Sequence, residues 1–318
     1  MPETVTCPSC GNAAGVSEPR KTRLLNLREP LAICRCAGCG FRYLNPRATV
    51  DELAVIYTTD PYYAADNATR GASRGRFYHV RLDRLERWRP QPGRMLGIGC
   101  LEGGYFLEAA RERGWQVKAV EFSEIMAAHA RTALALDVTV TRAWDLSDLT
   151  GMRFDVVYSH SLEHVPDPRV TIEQCRRLLV PGGLLLLEVP NQFHSLIDSL
   201  KDVVIRAAGE RAYLWFHRPV PFELHTVYFT PVTIQRFLVA EDFEILDMRT
   251  HLRAHPLYLG KGWRRWLRGA IHAVGALSGR GPCIEVFARQ RGPSVARPVT
   301  QSAGAARAAG PVRLVRQA

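Results

Sequence analysis

The chain has no apolar run approaching the roughly 18 residues needed to cross a bilayer, so the sequence offers no transmembrane helix. It has no internal repeat, which sets aside solenoids and propellers. Its opening residues, Met1-Pro-Glu-Thr-Val-Thr-Cys7, carry no basic stretch followed by an apolar one. The expectation is therefore no signal peptide and a cytoplasmic location, with peripheral contact at the inner membrane face as an alternative. Acid is missing from two stretches. Residues 255–280 hold Lys261, Arg264, Arg265, Arg268 and Arg280, and residues 291–318 hold five arginines, without one Asp or Glu in either. No Asn-Pro-Pro-Tyr motif of the kind that handles base amines follows the most apolar strand, which ends in Val189-Pro190-Asn191.

What is present belongs to a globular protein. The 318 residues are 47% hydrophobic and 23% charged, enough to bury one sizeable core with a small satellite. The net charge of +11 admits nucleic acid, anionic lipid or an acidic substrate as partners, or a solvated basic tail.

Four of the eight cysteines form two matched pairs, Cys7-Pro-Ser-Cys10-Gly11 and Cys36-Ala-Gly-Cys39-Gly40, with 25 residues between them. A two-residue spacer lets both thiolates face one ion, and the following glycine permits the tight turn that aims backbone N–H groups at the sulfurs. Two such pairs predict a closed, structural four-thiolate zinc site. With four sulfurs and no open position, the metal would stabilise a module too small to fold on its own core. Cys34, two residues before Cys36, is an alternative ligand. Cys100, Cys175 and Cys283 have the character of buried small apolar residues.

Along the chain the reading is a zinc-binding module at 1–45, a helical linker or cap region at 46–92, an α/β domain at 93–290, and a disordered basic tail at 291–318. Short strands are expected at 31–34 and 41–43 and helices at 49–57 and 74–89. The second helix shows Phe77, Val80, Leu82, Leu85 and Trp88 as its apolar face. Strands at 94–99, 116–121, 137–140, 154–159 and 183–189 then alternate with helices at 103–113, 123–134 and 168–179. Such alternation with nearly continuous apolar strands predicts a parallel sheet covered on both faces. A helix at 231–240 and strands at 243–250 and 283–289 would close the sheet with an antiparallel end. Two insertions interrupt this pattern, at about 192–220 and 253–281.

Several motifs stand in one order. Gly97-Ile-Gly99-Cys-Leu-Glu-Gly103 follows the first strand of the α/β domain, and Glu121 ends the second. Phe154-Asp-Val-Val-Tyr-Ser-His-Ser-Leu-Glu-His-Val-Pro-Asp-Pro168, Leu178-Leu-Val-Pro-Gly-Gly and His225-Thr-Val-Tyr-Phe-Thr230 come after. Upstream, Cys39-Gly-Phe-Arg-Tyr-Leu-Asn-Pro46 follows the second cysteine pair. Over roughly residues 1–290 the chain resembles the class I S-adenosylmethionine-dependent methyltransferases, in particular bacterial members with an N-terminal zinc-binding module. The resemblance implies a Rossmann-like, seven-stranded, mostly parallel sheet with an antiparallel last strand, preceded by a small zinc-ribbon-like module. It also implies methyl transfer from S-adenosylmethionine to a small-molecule, sugar or lipid- or polysaccharide-linked acceptor.

Residue by residue, the resemblance places the cofactor on Gly97, Gly99, Cys100 and Gly103 in the first turn. Glu121 takes the ribose hydroxyls, Phe122 lies on adenine and Asp145 meets the adenine amino group. Ser159 and His160 fall at the methionine end. The family turn reads D-x-G-x-G-x-G. Here Gly97 stands for the acid and Leu101 for the middle glycine, with Glu102 a candidate compensating carboxylate. A lost charge-assisted hydrogen bond is worth about 1.5–3 kcal/mol, or about ten- to a hundredfold in affinity. The alternatives are a degenerate, non-catalytic scaffold and an RNA methyltransferase.

An SN2 transfer needs an aligned nucleophile and a place for its proton. His164 and His225 are the candidate bases, each with a structural alternative, and His160, His194 and His217 are weaker candidates. In the second insertion Trp263, Trp266, Leu267, Ala270, Ile271, Val274 and Leu277 recur at helical spacing, with Arg264, Arg265, Arg268 and His272 off that stripe. Packing on the domain, dimerisation and peripheral membrane contact through 261–277 all fit it. The first insertion, with Phe193, Leu196, Ile197, Tyr213, Trp215 and Phe216, reads as a lid.

Overall fold

A computed structural model describes residues 2–22, 31–53, 75–141, 145–208, 225–252 and 263–292. The expected loop at 60–63, the last part of the 49–57 helix, Tyr213, Trp215, Phe216, His217 and nearly all of the basic tail lie outside the described residues. Two sheets organise what is described. The larger is ordered β6(Val138–Val140)–β5(Gln116–Glu121)–β4(Arg94–Ile98)–β7(Phe154–Ser159)–β8(Leu179–Pro190)–β11(Cys283–Gln290)–β10(Phe243–His251). The first five run parallel. β11, last in sequence, is antiparallel to both β8 and β10, so β10 at the edge runs with the rest. The expected fold class holds, and the antiparallel strand sits one place inside the edge.

Side chains alternate across this sheet, as the two-residue strand period requires. Leu96, Ile98, Val157, Leu185 and Leu187 join one core with α4 (Pro168–Leu178), α6 (Pro231–Ala240) and the cysteine-rich module. Met95, Val156, Tyr158, Leu184 and Leu186 join the other with α1 (Gly75–Trp88), α2 (Leu101–Glu112) and α3 (Glu124–Ala133). The helices begin where their caps dictate. Asp167 Oδ1 accepts from the N–H groups of Arg169 and Val170 at 2.9 and 3.3 Å, and Pro168 follows at the first helical position. Thr230 and Thr233 form a reciprocal capping box ahead of α6.

The smaller sheet is ordered β1(Gly15–Thr22)–β2(Leu31–Cys36)–β3(Arg42–Leu44)–β9(Val227–Tyr228). Its fourth strand comes from the α/β domain. Arg42 pairs with Tyr228 and Tyr43 with Val227. Phe41 packs edge-on to Phe229 at 5.2 Å and stacks near Phe237 of α6 at 6.3 Å. The cysteine module and the domain thus share one core. Neither β1 nor β9 is signalled by the sequence: β9 has two residues and β1 is polar.

Three expectations are corrected. On α1, Val80 is 43% exposed and Trp88 40%, while Arg81 is 1% exposed. Arg81 takes the buried place because it has partners. Its Nε donates to Glu285 at 3.1 Å, its Nη1 to the Tyr158 hydroxyl at 3.0 Å, and its Nη2 to Glu188. Arg84 reaches Glu285 and Asp247, and Arg249 reaches Glu285 at 2.9 Å. Burial raises the carboxyl of Glu285, but its neighbours, Arg81 and Arg84 foremost, bring it down to about 2. A charge with this many partners can be buried where a lone one could not.

Second, β8 begins at Leu179 rather than 183, because residues 180–183 bulge out between the Phe154–Leu179 and Val156–Leu184 pairs. Third, on α7 (Trp263–Leu277) the part of the apolar stripe that is described faces outward except at Ile271, which is half-buried. Trp266, Leu267, Val274 and Leu277 are 51–81% exposed, whereas Gly275 is buried against Leu196 at the start of α5 (Leu196–Ala208). The two insertions pack on each other through the small-residue side of α7.

Candidate active site and cysteine cluster

The cysteine knuckles are local twins. Gly11 and Gly40 sit at φ +75° and +76°, and their N–H groups donate to the carbonyls of Cys7 and Cys36 at 2.8 and 3.0 Å. These turns bring the Sγ atoms of Cys7, Cys10, Cys36 and Cys39 within 4.8 Å of one another. Cys7–Cys39 and Cys10–Cys36 are each 3.6 Å apart. A tetrahedron with metal–sulfur bonds of about 2.3 Å has edges of about 3.8 Å, so the four sulfurs fit one tetrahedral ion. A hydrogen bond from Cys7 brings the Cys39 thiol down to about 5, the same contact and burial push Cys7 up, and burial pushes Cys10 to about 11. Cys7 and Cys10 thus resist ionising beside Cys39 unless a cation lies among the sulfurs. Cys34 lies outside the cluster, its Sγ on the Asn45 carbonyl at 3.6 Å.

Gly97, Gly99, Cys100, Glu121, Phe122, Ser159 and His160 fall at the carboxyl ends of the adjacent strands β5, β4 and β7 or in the turns that follow, and Gly103 lies in the first turn of α2. That is where open α/β sheets take ligands. Gly99, at φ +88°, makes the sharp turn from β4 into α2, and its N–H donates to the Val120 carbonyl at 2.9 Å. Glu121 is buried across that turn. Its Oε2 accepts from Cys100 N–H at 2.6 Å, and its Oε1 accepts from Phe122 and Ser123 N–H at 2.7 and 3.0 Å. Burial raises the carboxyl and those three donors oppose the rise. Gly103 faces the Tyr158 ring, and Phe122 packs half-buried on the core. Asp145 stands apart. It accepts from Ser147 N–H and hydroxyl at 2.9 and 3.0 Å and from Gln174 at 3.1 Å, tying a short 3-10 turn to α4.

At Gly97, a Cβ would lie 2.6 Å from Leu107 Cδ1 and 3.1 Å from its Cγ. Leu107 is fully buried. The space an acid would enter is therefore filled by hydrocarbon, so the missing acid is matched by packing rather than by a void.

The loop after β7 returns to the glycine turn: Ser161 Oγ donates to the Ile98 carbonyl at 3.2 Å and lies beside Gly99. One turn on, Glu163, His164 and His225 converge, with one ligand-type atom of each within 4.8 Å of the others. The His164 and His225 rings meet edge-on, 4.8 Å between centroids. His225 is placed by its neighbours. Thr226 N–H donates to the Glu163 carbonyl at 2.8 Å, and Thr226 Oγ1 to the Val165 carbonyl at 2.6 Å. His225 Nδ1 lies 2.9 Å from Gln192 Oε1. Burial, then His164 and His160, hold His225 well below the usual histidine range, so it is neutral at physiological pH. Burial pushes the Glu163 carboxyl up to about 8. His160 Nε2 lies 3.9 Å from Glu188 Oε1. The two candidate bases thus come together, whereas His194, whose carbonyl accepts from Arg280 at 3.3 Å, lies between the insertions. Sequence reasoning passed over Glu163 and Gln192. Glu163 stands in the Leu-Glu-His motif and could have been found there; nothing local marks Gln192.

Comparison with known proteins agrees with this geometry. The family described as methyltransferase domain matches residues 71–247. The ubiquinone biosynthesis O-methyltransferase of Pseudomonas aeruginosa PAO1 is 36% identical over 105 residues, 31% of this chain and 45% of that protein. The one from Xanthomonas campestris pv. campestris is 37% identical over 120 residues, 36% of this chain and 50% of that protein. The chain spans about half the length of the curated relatives it matches. Among solved structures, the complex between the Haloferax volcanii Trm112 methyltransferase activator and a methyltransferase contains a chain matched at a TM-score of 0.50. The identity is 14%, over 74% of this chain and 100% of that one, which supports the fold alone.

The Leu107 packing generates a test. Gly97→Asp is expected to cost about 1–3 kcal/mol in urea unfolding, through overpacking in the core. It is also expected to leave S-adenosylmethionine affinity unimproved by calorimetry. A stable variant that binds tenfold tighter would show instead that the turn has simply decayed.

Proposed function

The chain belongs to the methyltransferase-domain family, and on that premise we propose that it transfers a methyl group from S-adenosylmethionine to a small-molecule acceptor. The observation that carries this is Glu121, a carboxylate at the end of β5 that already grips the glycine turn through Cys100 N–H. Ribose hydroxyls would compete for that carboxylate, while Gly99 and Gly103 let backbone approach the cofactor. Phe122 would cover adenine, and Ser159 and His160 would face the methionine end. Asp145 would meet adenine only by exchanging its local donors, Ser147 and Gln174, for the adenine amino group. The filled space beside Gly97 weighs against the decayed-scaffold reading.

The acceptor would bind over the Glu163–His164–His225 cluster, one loop from the cofactor turn. The names of the matched relatives support an oxygen nucleophile. A sugar or a lipid- or polysaccharide-linked acceptor is the finer alternative. The four-cysteine cluster would hold one structural zinc ion, as its sulfur spacing supports.

Among the described residues no helix is long and apolar enough to cross a membrane. Peripheral contact through 261–277 is supported by the outward Trp266, Leu267, Val274 and Leu277 beside Arg268. Flotation with anionic vesicles should carry the full chain and release it on Trp266→Ser plus Leu277→Ser; absence of flotation removes that contact.

Titration calorimetry with S-adenosylmethionine and S-adenosylhomocysteine tests the central reading. Micromolar binding is expected, weakened about tenfold or more by Glu121→Gln. Undetectable binding at millimolar ligand would overturn it.

A further inference from the structure

We propose that Glu163, His164 and His225 bind a divalent transition-metal ion, distinct from the metal of the cysteine cluster, at the acceptor side of the active site. This deepens the methyl-transfer reading and rests on it. The side chains supply two imidazoles and one carboxylate, a donor set for borderline divalent ions such as zinc, manganese or iron. Their ligand-type atoms already lie within 4.8 Å of one another, and Glu163 Oε1 is 3.7 Å from His164 Nε2. Metal bonds of about 2.0–2.2 Å require ligand separations of about 3–3.5 Å, a closure of about an ångström that side-chain torsions can supply.

A second observation points the same way. The Glu163 side chain is 3% exposed, and among the described residues its Oε2 has no hydrogen-bond partner. A buried carboxylate oxygen with nothing to accept from is costly, and a cation would repay that cost. The neighbours are arranged as metal sites require. Gln192 Oε1, 2.9 Å from His225 Nδ1, would fix the ring so that Nε2 presents its lone pair. The Glu163 carbonyl is held by Thr226 N–H and hydroxyl at 2.8 and 3.2 Å, so the two chain segments that supply the ligands are tied together before any ion arrives. The three residues give three donors, and His164 and His225 are only partly buried. Positions are thus left for an acceptor hydroxyl, as in catalytic rather than structural sites.

In the reaction the acceptor hydroxyl would become a further ligand and lose its proton to solvent. The oxygen's electron pair then forms the O–CH3 bond. The S–CH3 bond breaks with its pair returning to sulfur, which leaves the methyl ether and S-adenosylhomocysteine.

The test uses the full chain, zinc-loaded and then dialysed against manganese chloride. Total metal is counted by inductively coupled plasma mass spectrometry, and bound manganese by electron paramagnetic resonance. Two metal equivalents per chain are expected, one of them exchangeable for manganese. Glu163→Gln and His225→Gln should each fall to one, with the cysteine-bound zinc retained and S-adenosylhomocysteine still bound. Retained zinc and cofactor binding show that a variant has folded; His164→Gln serves as a third should either fail that check. A single metal equivalent in the parent protein, or a second one that survives these substitutions, would overturn the proposal. Cofactor binding without a second metal would sink this inference and leave methyl transfer standing. A second metal without cofactor binding would do the reverse.

Discussion

Six residues, His225 to Thr230, tie the molecule together through their backbone and side chains. Val227 and Tyr228 complete the cysteine module's sheet by pairing with Tyr43 and Arg42, and Leu44 N–H donates to the Thr226 carbonyl at 2.9 Å. Thr226 holds the loop after β7, Phe229 bridges to Asn191 at the end of β8, and Thr230 caps α6. Each bond is ordinary, worth about a kilocalorie per mole. Their convergence fixes the position of His225 against His164 and Glu163. A two-residue strand is too short to hold itself, so its register depends on the sheet it joins, and that sheet depends on the knuckles. The cysteine cluster therefore does more than stabilise a satellite: it is one wall of the frame that places His225 against His164 and Glu163.

The glycine turn is built differently. Gly99, Cys100 and Glu121 hang from the central parallel strands, which bury hydrocarbon on both faces. The Arg81–Glu188–Glu285 network locks α1 to the antiparallel end of that sheet. Leu96, Ile98 and Val120 of β4 and β5 share a core with the cysteine module, but the glycine turn takes its register from the large sheet and the His225 segment from the small one.

Much of this was legible in the sequence where the signal is local or periodic. The cysteine cluster follows from spacing alone, because a C-x-x-C-G turn has few conformations. The central strands follow from apolar runs between capped helices, and β5 and β7 have the expected bounds. The failures share a cause. Arg81 looks like a surface residue until Glu188 and Glu285, over a hundred positions away, are folded against it. The α7 stripe looks like a core face until Gly275 gives α5 a closer fit. In each case a partner distant in sequence decides, and β9 was invisible for the same reason: its strand character belongs to β3.

Hydrogen exchange on the full chain with zinc bound, and again after chelation, tests the dependence of the acceptor side on the cysteine cluster. The account predicts that amides in 225–229 lose protection with those of 31–44, while β4, β5 and β7 keep theirs and S-adenosylhomocysteine still binds. If 225–229 stays protected while 31–44 opens, the module does not hold His225 and the account is wrong.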